Sequence, residues 1–412
     1  MTTRSRLLVA LVGVAALLAA ACSSDETSST TTEAEDASRD KVVTIGVIAP
    51  LDAGLTAYGR GIANSVQLAA DEANAAGAIP GYTIEVVALN DSSDPEVGRA
   101  AAEELAADST VVGVVGTYNS GVAAEAAPVL ASAGIVMISP GNTDPALTVG
   151  DDPANPQRQN DNYFRVVATD ADQGDVLAAY ATGDLGVTDV AVVSEDKPVS
   201  LGLANDFEAA LVAAGGAVVS SATIDPEPDD AELAAAAEAV VATGAPLAFF
   251  GGEYDVASRY RTALADAGFT GVLMGGDGIK DDAYVAAVGA GIAAGDVASS
   301  VGVPSSNLDA PDYFAAYDEA GFVDPPSDFG PYAFDAAELL IAAAADVLAG
   351  TTGGVTPEVR TEVRDLVQDA EFEGITGLVA FDEFGDTLNR VFTISTVAGD
   401  GWVPVVTRQI GT

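Results

Sequence analysis

Polar and acidic side chains follow four apolar runs of the sequence, and their types suit the binding of a small charged solute. Hydroxyl groups and free amides at the start of a helix can hold a carboxylate, and a carboxylate can hold an ammonium group. Ser120 is therefore a candidate carboxylate contact and Asp277 a candidate ammonium contact. The four junctions are VVGVVG–TYNSG (111–121), IVMISP–GNTDPALT (135–148), PLAFFGG–EYD (246–255) and GVLMGG–DGIKDD (271–282).

Each of these residues also has a plain structural interpretation. Ser120 suits a helix N-cap, Thr143 and Pro145 suit a turn, and Asp277 followed by Gly278 suits the start of another turn. Taken singly, the structural interpretation is favoured for each residue. The functional interpretation depends on whether these side chains converge.

Other reactive residue types are too scarce for the common catalytic sites. The chain has no histidine, which excludes Ser-His-Asp and Cys-His catalysis and His-liganded metals. None of the three lysines, Lys41, Lys197 and Lys280, precedes Ser or Thr, so there is no Walker A loop. GAGIAAG (289–295) resembles a dinucleotide loop but is predicted to connect a helix to a strand. We therefore predict no enzyme activity, no catalytic residue, no metal and no cofactor.

The elements that would position the candidate residues alternate regularly between strand and helix. Runs such as KVVTIGVIAP (41–50) are apolar and β-branched, whereas GIANSVQLAADEANAAG (61–77) has helical spacing. Asp94 followed by Pro95 predicts a capped helix over 95–107. Continuously apolar strands alternating with helices predict an α/β fold of two doubly wound parallel-sheet lobes. Ligands bind at the carboxyl ends of such strands, where the candidate residues lie.

The amino terminus predicts export and lipid anchoring. Arg4 and Arg6 precede an apolar run over 7–21, which is shorter than a membrane-spanning helix and typical of a signal peptide. The single cysteine, Cys22, follows this run where a bacterial lipoprotein is acylated, although Ala19 stands where that motif usually has leucine. Residues 22–40 are too polar to fold and are predicted to form a disordered tether.

The charge of the chain excludes other classes of partner. Its 62 acidic and 16 basic residues give a formal net charge of −46, which repels nucleic acids and anionic lipid surfaces. The acids are scattered through the sequence. We interpret them as a solvated surface and not as a cation-binding cluster.

Five segments together resemble the periplasmic branched-chain amino-acid-binding proteins, which are the ligand receptors of ABC importers. The resemblance runs from about Val42 to the carboxyl terminus and implies a type I periplasmic-binding fold, with two lobes joined by a three-crossover hinge around a ligand cleft. The segments are IGVIAPLDAGLTAYGRGIANSVQLAADEANAAG, VVGTYNSGVAAEAAPVLASAGIVMISPGNTDPALT, FRVVATDADQG, FFGGEYD…LMGGDG and ITGLVAFDEFGD.

The resemblance implies a division of the chain and a set of partners. The implied partners are a small amino-acid or amide ligand and ABC permease subunits, with the protein a monomer lipid-anchored to the outer face of the cytoplasmic membrane. The predicted division is a signal peptide at 1–21, a tether at 22–40, lobe I at 41–165 with about 300–368, and lobe II at 166–299 with about 369–412.

Carried over position by position, the resemblance also implies a ligand site. It implies carboxylate contacts at Ser120 and Thr143 and a carbonyl contact to the ammonium group at Gly141. Asp277, where relatives have glutamate, is the implied acidic partner of the ammonium group. Tyr58 is the implied aromatic ring over the ligand side chain.

The remaining implied positions depart from the family pattern or lie beside it. A cleft tyrosine of the family aligns with Glu253, next to Tyr254, and another aligns with Val199. Asn142, between two implied contacts, completes the predicted set. The side-chain end of the pocket thus differs from the family, and leucine-like, polar, cationic and amide ligands all stay open.

Three functions remain open from the sequence. We favour a solute-binding lipoprotein that delivers its ligand to a permease. A sensing module of the same fold would need a separate receptor chain. An enzyme is disfavoured because the chain has no histidine and no nucleophile motif.

Overall fold

The computed structural model describes residues 41–53, 55–150, 152, 155–349, 351 and 353–410. Within this part, strands and helices alternate as the sequence predicts. The predicted signal peptide, the lipidation site at Cys22 and the tether lie outside the described residues. No helix in the described part is both long and apolar enough to cross a lipid bilayer.

Most of the strands are short, buried and rich in valine, isoleucine and phenylalanine. Such side chains pack well between two layers of helices. The strands are β1 (Lys41–Ala49), β2 (Tyr82–Asn90), β3 (Val111–Gly116), β4 (Val136–Ser139), β5 (Tyr163–Arg165), β6 (Asp189–Glu195), β7 (Ala217–Ile224), β8 (Leu247–Gly251), β9 (Val272–Gly275), β10 (Val297–Ser300), β11 (Glu371–Gly374), β12 (Gly377–Ala380), β13 (Val391–Ala398) and β14 (Gly401–Gln409).

A side-chain cap begins the helix that the sequence predicts over 95–107. Asp94 accepts hydrogen bonds from the amides of Glu96 (2.8 Å) and Val97 (3.2 Å), which confirms the predicted cap. The helices are α1 (Thr56–Ala76), α2 (Pro95–Ala107), α3 (Ser120–Ser132), α4 (Ala146–Val149), α5 (Asp170–Ala179), α6 (Pro198–Ala213), α7 (Asp230–Thr243), α8 (Tyr254–Asp266), α9 (Asp282–Val288), α10 (Ala290–Ala293), α11 (Pro311–Ala320), α12 (Gly330–Leu348) and α13 (Pro357–Gln368).

Two separate sheets confirm the predicted two-lobe α/β fold. The first has five parallel strands in the order β2-β1-β3-β4-β5. The second has seven strands in the order β14-β13-β10-β9-β8-β6-β7. We call each sheet with its helices the first lobe and the second lobe.

Both sheets are covered by helices on both faces. In the first lobe, Val122 and Leu130 of α3 lie in a different apolar cluster from Val66 of α1 and Leu340 of α12. In the second lobe, the helices α5 and α6 cover one face, and α7, α8 and α9 cover the other. This double covering explains why the strands are apolar on both sides.

The second sheet is not wholly parallel. β13 pairs antiparallel with β10 and with β14, so the carboxyl-terminal hairpin completes the edge of the sheet. The segment 289–295 forms the short helix α10 and a turn that leads into β10. The structure thus confirms the predicted helix-to-strand connection at GAGIAAG.

The chain passes between the sheets after β5, after β10 and between α13 and β13. Arg165, fully buried at the end of β5, ties the first of these passages to the third. Its Nε donates to Asp386 at 2.6 Å, and its Nη2 donates to the hydroxyl of Thr148 at 2.6 Å. One guanidinium group therefore fixes the relative position of two hinge segments.

Candidate functional site: the interlobe cleft

A cavity of about 50 Å³ lies where the carboxyl ends of strands from both sheets meet. This space is well below the roughly 300–1,000 Å³ of typical small-molecule sites, because side chains of the two lobes touch across it. Its lining residues follow β3, β4, β5, β6, β8 and β9: Tyr118, Asn119, Ser120, Gly141, Thr143, Asp170, Val199, Ser200, Leu203, Gly252, Glu253, Asp277 and Gly278.

The first-lobe side of the cavity carries two hydroxyl groups with different hydrogen-bonding roles. Ser120 is the first residue of α3, and Asn119 is the N-cap residue. The Oγ of Ser120 accepts from the amides of Thr143 and Asp144, both at 3.3 Å, which leaves its own proton for donation. The Oγ1 of Thr143 donates to Asp170 at 3.0 Å, so its lone pairs are left to accept.

Two buried aspartates from different segments share one glutamine amide. The Nε2 of Gln173 donates to Asp170 and to Asp277, each at 2.9 Å. Its Oε1 accepts from the amide of Asp277 and from the hydroxyl of Ser299, each at 2.7 Å. Gln173 therefore holds both carboxylates in place at the cavity wall.

Burial makes this pair of carboxylates reluctant to carry two charges. Desolvation raises the pKa of Asp277 to about 6, while the hydrogen bond from Gln173 opposes the rise. Desolvation, and then the charge of Asp277, raises the pKa of Asp170 well above its usual value. A cation between the two would favour their ionised forms, so this part of the cavity suits an ammonium group.

A second charged cluster, which we call the glutamate cluster, consists of Glu195, Lys197 and Glu253. The Nζ of Lys197 contacts Glu195 at 2.6 Å and Glu253 at 2.7 Å. The amide of Glu253 donates to the Oε1 of Glu195 at 2.9 Å. A Cβ on Gly252, which directly follows β8, would lie 2.4 Å from that same oxygen, so a larger residue there would displace Glu195.

The glutamate cluster also reaches across the cleft. The Nδ2 of Asn119, from the first lobe, donates to the Oε1 of Glu253. Desolvation, with the charge of Glu253 next, raises the pKa of Glu195 to about 7. Burial opposes the charge of Lys197, but the two glutamates overcome it and raise the pKa of Lys197.

Some predicted site residues line the cavity and others lie behind it. Ser120, Gly141, Thr143, Glu253 and Asp277 are brought together at the wall, as is Val199. Tyr58, Asn142 and Tyr254 are not among the lining residues.

The three residues behind the wall support it. The ring of Tyr58 packs against Tyr118 at 4.6 Å and against Phe329 and Tyr254, and its hydroxyl lies 3.4 Å from the carbonyl of Asp277. Asn142 donates to the carbonyl of Tyr118 at 2.7 Å. These contacts join the loops that follow β3, β4 and β9.

Sequence reasoning missed Asp170, Gln173, Lys197 and Asn119. The first two lie in the segment FRVVATDADQG, which the sequence analysis used only as a resemblance and as a lobe junction. Their spacing of three residues at the start of a helix places both side chains on one face. That spacing was the available signal, but the sequence does not say which cavity the face meets.

The arrangement can bind a small solute that carries both a carboxylate and an ammonium group. Among the described residues, no group of three or more His, Cys, Asp or Glu side chains is arranged to hold a metal ion. Ser120, from the first lobe, and Asp277, from the second, line the same cavity.

A family model decides the class of the protein. The model of the periplasmic binding proteins matches residues 42–401. The chain belongs to the periplasmic binding protein family. It is accordingly a binding protein and not an enzyme, as its composition predicts.

Curated members with similar sequences agree with this placement. The chain is 28% identical over 352 residues to the Leu/Ile/Val-binding protein homolog 3 of Brucella melitensis, covering 85% of this periplasmic binding protein and 90% of the relative. It is 29% identical over 354 residues to the Leu/Ile/Val-binding protein BraC3 of Rhizobium johnstonii, with coverage of 85% and 90%.

Solved structures share the fold. A branched-chain amino acid transporter substrate-binding protein from Streptococcus pneumoniae, in complex with isoleucine, is 25% identical with a TM-score of 0.76, over 90% of this chain and 99% of that one. A solute-binding protein from R. palustris in complex with benzoate is 19% identical with a TM-score of 0.75, over 90% and 98%. These matches confirm the type I periplasmic-binding fold.

Proposed function

We propose that this protein binds a small amino acid or amide-like solute between its lobes and delivers it to an ABC importer. The observation that carries the proposal is that hydrogen-bond donors and carboxylates line the same cavity. The hydroxyl of Ser120 and the start of α3 in the first lobe line the same cavity as buried carboxylates that include Asp277 of the second lobe. An α-amino acid carries the two groups that these walls complement.

In the proposed complex, the ligand carboxylate lies at the start of α3. There it receives the proton of Ser120 and benefits from the positive end of the helix dipole. The ligand ammonium group donates to Asp277, to the carbonyl of Gly141 and to the hydroxyl oxygen of Thr143. We move Thr143 here from the implied carboxylate contacts, because it donates its own proton to Asp170. The names of the Brucella and Rhizobium relatives and the isoleucine complex of the Streptococcus protein support an amino-acid ligand.

We further propose that binding works by lobe closure. The lobes already exchange contacts from Asn119 to Glu253 and from the Tyr58 hydroxyl to the Asp277 carbonyl. A ligand that touches both walls would add to these contacts and stabilise the closed arrangement. The proposed hinge joins lobe I (41–165 with about 300–368) to lobe II (166–299 with about 369–412).

Cys22 is the proposed lipid anchor, and residues 22–40 are the proposed tether. Together they would keep the monomeric protein on the outer face of the cytoplasmic membrane, beside the permease subunits. A single acyl chain binds membranes only marginally, so stable anchoring would need further chains on the same residue or its neighbourhood.

A thermal-shift screen tests the ligand class. The twenty L-amino acids, their amides and urea are added to the purified protein, and each hit is titrated by calorimetry. We expect at least one L-amino acid to raise the melting temperature, because a ligand at one hundred times its Kd stabilises the folded state by about 2.7 kcal/mol.

Two analogues of each hit serve as controls. One lacks the carboxylate and one lacks the amino group, and each should bind at least about tenfold more weakly because it loses one charged contact. Binding that is indifferent to both deletions, or no response to any amino acid or amide, would contradict the proposed function.

A further inference from the structure

The glutamate cluster presents a fixed carboxylate at the cavity wall. The side chain of Glu253 is only 13% exposed, and Glu253 is the N-cap residue of α8. Lys197 holds one of its oxygens and Asn119 contacts the other, while its backbone amide is bound to Glu195. With three such restraints, Glu253 has a defined direction and little freedom to turn away from a ligand.

The polar atoms of this region are mostly acceptors. Each Glu253 oxygen receives one hydrogen bond and has capacity for another. The Oδ1 of Asn119 is buried and has no hydrogen-bond partner in the described part of the chain. Beside these acceptors, Val199 and Leu203 supply apolar surface and Ser200 a hydroxyl group.

The charged side chains that line the cavity are all acidic. Glu253, Asp170 and Asp277 line the cavity, and no lysine or arginine occurs among its lining residues. Lys197 compensates one of the two glutamates that it contacts, and Glu195, whose pKa burial raises to about 7, carries the second charge above that pH. An α-ammonium group between Asp170 and Asp277 would leave the acceptor atoms of Glu253 and Asn119 without a donor from the ligand.

An aliphatic ligand side chain would fit this wall poorly. It would remove water from Glu253 and Asn119 without offering hydrogen bonds in return, and burying unpaired polar groups is unfavourable. A side chain ending in an N–H donor, either a cation or an amide, would satisfy these acceptors.

We propose that Glu253, held by Lys197, makes this protein select amino acids whose side chain ends in an N–H donor over aliphatic amino acids of the same shape. The inference rests on the proposed function, because it assumes an amino-acid ligand oriented with its α-groups toward Ser120 and Asp277. It sets the specificity of this protein apart from the ligands that the names of its relatives indicate.

Two matched ligand pairs test the inference by isothermal titration calorimetry. L-asparagine and L-leucine have the same branching and a similar size but differ in donors, and L-lysine extends L-norleucine by one terminal ammonium group. In at least one pair, the donor-bearing member should bind the parent protein about tenfold more tightly or better. The pair that shows the preference identifies an amide or a cationic ligand.

The variant Glu253→Gln then connects the preference to the residue. It keeps the size of the side chain and removes its charge, so the preference within the responding pair should fall about tenfold for the cation and by a smaller factor for the amide. Glu319→Gln, on the exposed surface of α11, removes the same charge elsewhere and should leave both affinities unchanged. Melting temperatures of all three proteins report whether they are folded.

The outcomes separate the inference from the proposed function. Leucine and norleucine binding as tightly as their partners, or a preference that survives Glu253→Gln, would overturn the inference and leave amino-acid binding intact. If none of the four ligands and no other L-amino acid binds the folded parent protein, the proposed function itself fails, and the inference fails with it.

Discussion

At the scale of single residues, the charged centre of the cleft is a set of two aspartates and one glutamine. Gln173 uses both protons of its amide on carboxylates that come from different segments of the chain. Because these carboxylates are buried, their ionisation depends on that amide and on any cation that enters the cavity. The binding strength of a ligand ammonium group should therefore depend on Asp277 and on pH.

Replacing Asp277 by asparagine tests the first dependence. Asp277→Asn keeps the shape of the side chain and its acceptor oxygen but removes a charge-assisted bond that contributes roughly 1.5–3 kcal/mol. The affinity for the amino acid found in the screen should fall about 10- to 150-fold in calorimetric titrations. Asp318→Asn, on the exposed surface of α11, is the matched control and should bind like the parent. Equal affinities in all three proteins would remove Asp277 from the site.

The pH dependence of binding follows from the raised pKa of Asp277, which is about 6. The ionised carboxylate binds the ammonium group, so affinity is highest above pH 6 and falls as the pH drops through this value. At pH 5 the ionised fraction is about one tenth, and Kd should rise about tenfold relative to pH 8. Asp277→Asn should show a flatter profile over the same range. A parent protein with constant Kd from pH 8 to pH 5 would contradict this account.

At the scale of elements, the hinge segments depend on the buried guanidinium group of Arg165. Besides Asp386 and Thr148, it donates to the carbonyls of Asn142 at 3.1 Å and Asp144 at 2.8 Å. It thus connects the loop after β4, which carries Thr143, to the segment between β12 and β13. The position of the binding loop is coupled in this way to two passages between the lobes.

Arg165→Met should destabilise the protein strongly. It leaves Asp386 and two backbone carbonyls without their partner, and breaking a buried ion pair typically costs about 3–5 kcal/mol of unfolding free energy. Urea denaturation measures the loss. Arg99→Met removes an exposed arginine that pairs with Glu103 at 3.2 Å and should cost less than about 1 kcal/mol. Similar losses in both variants would show that Arg165 does not hold the hinge.

At the scale of the whole molecule, the contacts across the cleft are few and polar. Asn119 with Glu253, Tyr58 with Asp277, and Lys280 with Asp328 join segments that belong to different lobes. Such contacts can break and reform at little cost when the lobes move. Ligand binding should therefore shift the molecule from open arrangements toward closed ones.

Small-angle X-ray scattering measures this shift directly. Addition of saturating amino acid to the protein should reduce its radius of gyration, because the lobes approach each other. Asp277→Asn at the same ligand concentration should show a smaller reduction, in proportion to its lower occupancy. A radius that stays constant while calorimetry reports full occupancy would contradict closure as the binding mechanism.

The proposed lipid anchor at Cys22 concerns the whole molecule and is independent of the ligand cleft. Cys22→Ala should release the protein from membranes without changing its ligand affinity, because the proposed tether would separate residue 22 from the cleft. Ser23→Ala is the neighbouring control and should remain with the membrane fraction. If Cys22→Ala sediments with membranes as the parent does, the lipid anchor is wrong.

The sequence by itself determined the order of strands and helices, the fold class and the outline of the cleft. Apolar β-branched runs and capped helices are local signals, and the helix over 95–107 shows this, since Asp94 and Pro95 lie next to it in the chain. Ser120 and Thr143 were predictable as neighbours, and so were Glu253 and Asp277, because the carboxyl ends of parallel strands lie at one edge of a sheet. That the two pairs meet across a cleft followed from the family resemblance.

Only the tertiary structure decided which side chains share a hydrogen bond. Gln173 meets Asp277 across 104 positions of sequence, and Asn119 meets Glu253 across 134. Tyr58 packs against Tyr118, a residue of the cavity wall, and its implied position over a ligand side chain stays a prediction. Local patterns of hydrophobicity do not predict such pairs, because the path of the chain between the lobes decides how far apart the two residues of each pair lie.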